Sequence, residues 1–148
     1  MPIAIYALAL AAFAVGTAEF IISGILPPLA NDLSVSIPTA GLLVSAYALG
    51  VAVGGPVFSV LTARFPPKPT LIAVIAAFIV SQVLCALAPD YGLLLLARLV
   101  SSAGHGLFFG VGGVVVAGLA PPEKRGTAFS LFIGGITIAN LLGLPGGT

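Results

Sequence analysis

The 148 residues are 59% hydrophobic and only 6% charged, with a formal net charge of +1, whereas a soluble domain carries about 25% charged residues. So few charges exclude a water-facing globular surface, and a net charge of +1 is too small to suggest nucleic acid as a partner. The composition is that of an all-α integral membrane protein whose main partner is lipid.

Five apolar segments are each long enough for the roughly 20 residues of a spanning helix. They cover residues 3–29, 40–61, 70–88, 92–119 and 126–148, and together predict one transmembrane domain over 1–148. Strands are excluded because runs such as LLLLARLV and LIAVIAAFIV show no alternation, and an open strand would leave backbone polar groups unpaired in lipid. The first segment reads as a spanning helix that is retained and not as a signal peptide, since it lacks a basic leader and far exceeds an apolar stretch of about 7–15 residues. Cys85 is the single cysteine, so no disulfide forms within the chain, and it reads as a small apolar filler.

The links are ANDLSVSIPT (30–39), TARFPPKP (62–69), PDY (89–91) and APPEKR (120–125). Asp32 and Asp90 are the only charges in the first and third. Arg64, Lys68, Lys124 and Arg125, with Glu123, occupy the second and fourth. All loop cations thus fall on one side, and the positive-inside rule assigns that side, with the N-terminus, to the cytoplasm. Prolines 27, 28, 66, 67, 69, 89, 121 and 122 fall at or near the predicted helix ends, as expected of a residue that cannot continue a helix. Pro145 is different, lying within or near the end of the fifth helix, where it would remove a backbone bond and kink the chain. Glycines cluster in the second, fourth and fifth helices, with Gly50 and Gly54, or Gly106 and Gly110, at four-residue spacing. Small residues so spaced let helix backbones approach closely.

Two charges sit within spans. Arg98 follows Asp90 by eight residues, about 12 Å below the surface, and Glu19 precedes Pro28 by nine, about 13.5 Å from the same face at 1.5 Å per residue. A buried cation costs roughly 2.5–3.5 kcal/mol on insertion scales, so such residues are paired or functional. Matched depth suggests an ion pair or two poles of one polar cavity. Arg98, Ser101, Ser102 and His105 follow i, i+3, i+4, i+7 spacing and share a helix face. Gly16, Glu19 and Ser23 repeat the pattern more weakly. His105 is either a second protonatable group or a neutral histidine hydrogen-bonded between helices. Tyr47, Gln82 and Asn140 are further candidates for the cavity wall. No phosphate loop, metal-ligand cluster or nucleophile–base pair is present, so the sequence predicts no enzyme, metal or cofactor.

With these residues in view, GTAEFIISGILPPLANDL, GLLVSAYALGVAVGGPV, ARLVSSAGHGLFFG and ANLLGLPGG give the chain the look of the N-terminal part of a major facilitator superfamily transporter. It most resembles the bacterial drug:proton antiporter group that includes chloramphenicol-resistance and sugar-efflux permeases. The family's signature between helices two and three reads roughly G-x-x-x-D-R-x-G-R-K. Here residues 59–68 read SVLTARFPPK: Arg64 and Lys68 match, while Ser59, Ala63 and Pro66 replace glycine, aspartate and glycine. Arg98 corresponds to the helix-four arginine implicated in proton coupling. Glu19 corresponds to the helix-one acid that some antiporters use for cations or protons. Gly143, Pro145 and Gly147 resemble a variant of the antiporter motif on helix five.

The resemblance implies half of a two-lobed exporter of small organic molecules in a bacterial plasma membrane, driven by protons, with its site between repeats near the midplane. Five spans are fewer than the six of one half. The 148 residues are therefore expected to need further C-terminal helices of the same transporter and not to transport alone. The alternatives are a small dimeric multidrug exporter and a non-transporting membrane scaffold subunit.

Overall fold

A computed structural model describes residues 2–146. Among the described residues there are six α-helices and one 3₁₀ turn and no strand: α1 (Ile3–Gly24), α2 (Leu26–Asp32), α3 (Ile37–Thr62), α4 (Pro67–Ala86), α5 (Tyr91–Leu119), the 3₁₀ turn Pro122–Lys124, and α6 (Arg125–Gly146). Five of the helices, all but α2, are long and apolar enough to cross a membrane. Large apolar side chains such as Leu10, Leu49, Val60, Val80, Leu96 and Leu141 are exposed on them. In lipid that is the favourable side to expose.

The predicted first span, 3–29, divides at Ile25. Pro27 and Pro28 have no N–H to return to the carbonyls of Ser23 and Gly24, so the i→i−4 ladder cannot run through them. The helix ends at Gly24 and a new one starts with both prolines in its first turn, where N–H groups lack partners anyway. The second and third spans begin three residues earlier than predicted, at Ile37 and Pro67, because prolines again fit the first turn. Ser36 caps α3 by accepting the Thr39 N–H at 3.2 Å, and Asp90 Oδ1 accepts the Leu93 N–H at 2.9 Å at the start of α5. These are the side-chain caps that free helix N-termini need. Pro145 falls in the last turn of α6, whereas Pro56, not singled out from sequence, lies inside α3.

Two compact units make up the chain. One comprises residues 1–24 and 111–148. Here α1 packs along α6 through small residues. A Cβ on Gly16 would lie 2.8 Å from Ile136 Cγ1 and 2.9 Å from Ala139 Cβ, and one on Gly135 would collide with the Ala9 carbonyl oxygen. Gly143 faces Phe20, and Gly112, near the end of α5, faces the Phe132 ring. Ala12, Val116, Ala128, Phe132 and Ala139 are wholly enclosed.

The other unit comprises residues 25–110, with α3 laid against the first two-thirds of α5. Gly50 meets the Ser102 side chain, Gly54 meets Ala103, Gly55 meets Gly106 and Ser59 meets Gly110. Where the main chains of α3 and α5 meet, a Cβ on Gly106 would lie only 2.6 Å from Gly55 Cα. Such proximity maximises dispersion contact where lipid supplies no hydrophobic drive. Tyr91 Oη also donates to the Thr39 carbonyl at 2.8 Å, fastening the start of α5 to the first turn of α3.

Candidate intramembrane polar site

The polar stripe of α5 is a real face. Arg98, Ser101, Ser102 and His105 are all buried, Arg98 to 1% and His105 to 3% exposure, as helical spacing requires. Across the seam, Tyr47 projects from α3 and is 1% exposed. The Arg98 guanidinium carbon lies 4.0 Å from the centroid of its ring, and its hydroxyl is 3.0 Å from His105 Nδ1. A cation over a desolvated aromatic face is stabilised by about 2 kcal/mol, which offsets much of the insertion cost of a membrane arginine. The tyrosine therefore serves Arg98 with its face and His105 with its edge.

Further contacts fix the surroundings. His105 lies against Tyr47 edge-to-face at 5.7 Å and against Phe109 at 5.1 Å between ring centroids. Gln82 on α4 donates its amide to Ser101 Oγ at 2.7 Å. Ser102 turns its hydroxyl back to the Leu99 carbonyl, also 2.7 Å, so its polar tip is satisfied within α5 and its bulk fills the gap over Gly50. Three helices thus contribute to one enclosed polar cluster: α3, α4 and α5. It can hold a fixed positive charge and, one tyrosine away, an imidazole able to take or release a proton. The tautomer of His105 decides which partner donates in the bond to Tyr47.

Glu19, on α1 in the first unit, is partly buried, next to Phe20 where that residue abuts Gly143. Asn140 is exposed on α6, in an open groove with Thr137, Ile138 and Leu141. Arg64 and Lys68 are exposed at the α3–α4 turn, Arg64 lying 5.1 Å from the Phe65 ring centroid. Gly143 is buried against α1, Pro145 is near the end of α6, and Gly147 lies outside the described residues. Phe109 was not singled out from sequence, although its position one turn beyond His105 was the available signal.

The Major Facilitator Superfamily family model matches residues 8–148. The chain is 45% identical over 142 residues to the inner membrane transport protein YdhP of Escherichia coli, covering 96% of this chain and 36% of that protein. It is 36% identical to a chloramphenicol resistance protein of Streptomyces lividans, covering 100% of this chain and 38% of the relative. To a probable sugar efflux transporter of Helicobacter pylori it is 33% identical, over 95% of this chain and 36% of the relative. The chain therefore spans little more than a third of the length of these relatives.

Proposed function

This chain belongs to the major facilitator superfamily, a family of multi-pass membrane transporters and not of enzymes, and from that premise we propose that it supplies the N-terminal helices of a proton-coupled exporter of small organic molecules. The observation that carries the proposal is the enclosed Tyr47–Arg98–His105 cluster. A fixed cation and a protonatable ring are costly to keep inside a span and are of use where charge must be moved. Relatives named for chloramphenicol resistance and for sugar efflux support export of small organic compounds.

In the proposed cycle Glu19 is the carboxylate that binds and releases the coupling proton, and Arg98 sets how readily it does so. A nearby cation favours the charged carboxylate while burial opposes it, so a change in access or in substrate occupancy changes proton affinity. That Glu19 and Arg98 are the two charges within the spans, away from their ends, supports this coupling. Tyr47 holds Arg98 through its ring, which positions the cation. Alternating access then comes from rocking of the two halves of the complete transporter about a central site. Exposed cations at the α3–α4 turn and in the link after α5 support a cytoplasmic N-terminus and residence in the bacterial inner membrane. Family membership sets aside the small dimeric exporter, and the costly polar cluster argues against a passive scaffold.

The test is transport by the full-length protein in everted membrane vesicles, with an imposed pH gradient and a panel of amphiphilic antibiotics and sugars. Accumulation of at least one compound that collapses on addition of a protonophore is the expected result. Gradient-independent movement of every transported compound would reject proton coupling.

A further inference from the structure

The α3–α4 turn carries a feature that the transport reading does not use. A groove of about 500 Å³ opens there, lined by Thr62, Phe65, Pro69, Ala73, Ala77 and Leu107 among others. Its walls are almost wholly apolar for a physical reason. The Thr62 hydroxyl donates to the Phe58 carbonyl at 2.7 Å and the Thr70 hydroxyl to the Pro66 carbonyl at 2.9 Å, so both polar tips are turned into their own helices. Pro69, Ala73 and Ala77 succeed one another at four-residue spacing along α4. The floor thus runs from the turn into the spanning part of the helix for about 12 Å at 1.5 Å per residue.

At the turn end stand two exposed cations, Arg64 and Lys68. Both are next in sequence to lining residues, and Arg64 lies 5.1 Å from the ring centroid of Phe65, itself part of the wall. No carboxylate occurs between Thr62 and Thr70, because Ala63 stands where the family signature has aspartate. The turn therefore presents unopposed positive charge beside the mouth of an apolar channel on a membrane helix hairpin.

We propose that this groove binds an anionic phospholipid, with Arg64 and Lys68 on the phosphate and one acyl chain along Pro69, Ala73 and Ala77. Charge complementarity selects the lipid: a zwitterionic lipid fits the apolar wall equally but gains less from two cations. Juxtamembrane cations each favour anionic lipid by about five-fold, and the pair by roughly thirty-fold, at low surface screening. The proposal does not depend on the direction of transport or on proton coupling.

The experiment uses the full-length protein, delipidated in neutral detergent and titrated with phosphatidylglycerol or phosphatidylcholine, with bound lipid counted by native mass spectrometry. Phosphatidylglycerol is expected to be retained at least ten-fold more strongly. R64Q combined with K68Q should bring the two lipids to equal retention, while the charge-preserving exchange R64K with K68R keeps the preference. A73F combined with A77F fills the channel from exposed positions and should reduce retention of both lipids. Unchanged preference in the glutamine variant, or unchanged retention in the phenylalanine variant, would overturn the proposal. So would equal competition by inorganic phosphate or glycerol phosphate, which would make the turn a simple anion site, or absence of any bound lipid because other parts of the transporter cover the groove.

Discussion

Tyr47 and His105 share a hydrogen bond of 3.0 Å across the α3–α5 seam, and the same tyrosine carries Arg98 over its ring at 4.0 Å. The two interactions use different parts of one side chain and can be separated by substitution. Tyr47→Phe removes the hydroxyl and keeps the ring. It should cost about 1 kcal/mol, the net worth of one hydrogen bond, and leave Arg98 in place. Tyr47→Leu removes both and should cost about 2 kcal/mol more. Thermal unfolding of the full-length protein in detergent checks the order. Equal losses from the two variants would mean that the ring contributes nothing to holding Arg98.

Glu19 and Arg98 are proposed to act as one unit. Glu19→Gln should abolish pH-driven efflux at near-normal membrane expression, since an amide is cheaper to bury than an unpaired carboxylate. Arg98→Ala should lower expression as well, because it strips the carboxylate of its counter-charge. The double change should restore expression without restoring coupling. Efflux under an imposed pH gradient, with immunoblotted membrane fractions as control, reads both effects. A Glu19→Gln protein with undiminished pH dependence removes Glu19 from the cycle.

The glycines divide into those that touch and those that do not. Gly106→Ala places a methyl 2.6 Å from Gly55 Cα, against backbone that cannot turn aside, and should destabilise by about 3 kcal/mol or more. Gly134→Ala meets nothing within 4 Å and should be neutral or stabilising by about 0.5–1 kcal/mol through helix propensity. Detergent melting temperatures distinguish the pair. Indistinguishable melting temperatures would mean that the α3–α5 seam is looser than its geometry.

Orientation rests on the side taken by the loop cations. Cysteines at Asp32 or Asp90 should react with an impermeant maleimide in intact cells, and those at Lys68 or Lys124 only after permeabilisation. The reverse pattern would invert the topology and reject a cytoplasmic N-terminus.

Much of this architecture was legible in the residues. Spans are dictated by length and apolarity, and the Arg98–Ser101–Ser102–His105 face follows from helical geometry alone, so both could be read directly. The division at Ile25 was also written in the chain, as Pro27-Pro28, but apolar side chains continue past it and hydropathy does not register a broken hydrogen-bond ladder. Tyr47 was visible only as a candidate lining residue. Its position between Arg98 and His105 depends on which turn of α3 meets which turn of α5. That register is set by Gly50, Gly55, Gly106 and Gly110, whose contacts are a property of two helices together. Asn140 shows another limit: its polarity marks it as a candidate, but that it lies exposed on α6 is not written in the hydropathy pattern. Solvation preference does not determine rotation about the helix axis.

The meeting of Gly55 with Gly106 also has a mechanical meaning. Main chain against main chain leaves no side-chain layer to act as a lubricant between α3 and the facing part of α5. Sliding by even one residue would drive the Ser102 side chain out of the hollow over Gly50 and set bulkier neighbours against it. The pair is therefore a stiff strut, and Arg98, His105 and Tyr47 are carried on the two helices that it joins. In the proposed transport cycle the surroundings of that charge would change, and its seat would not.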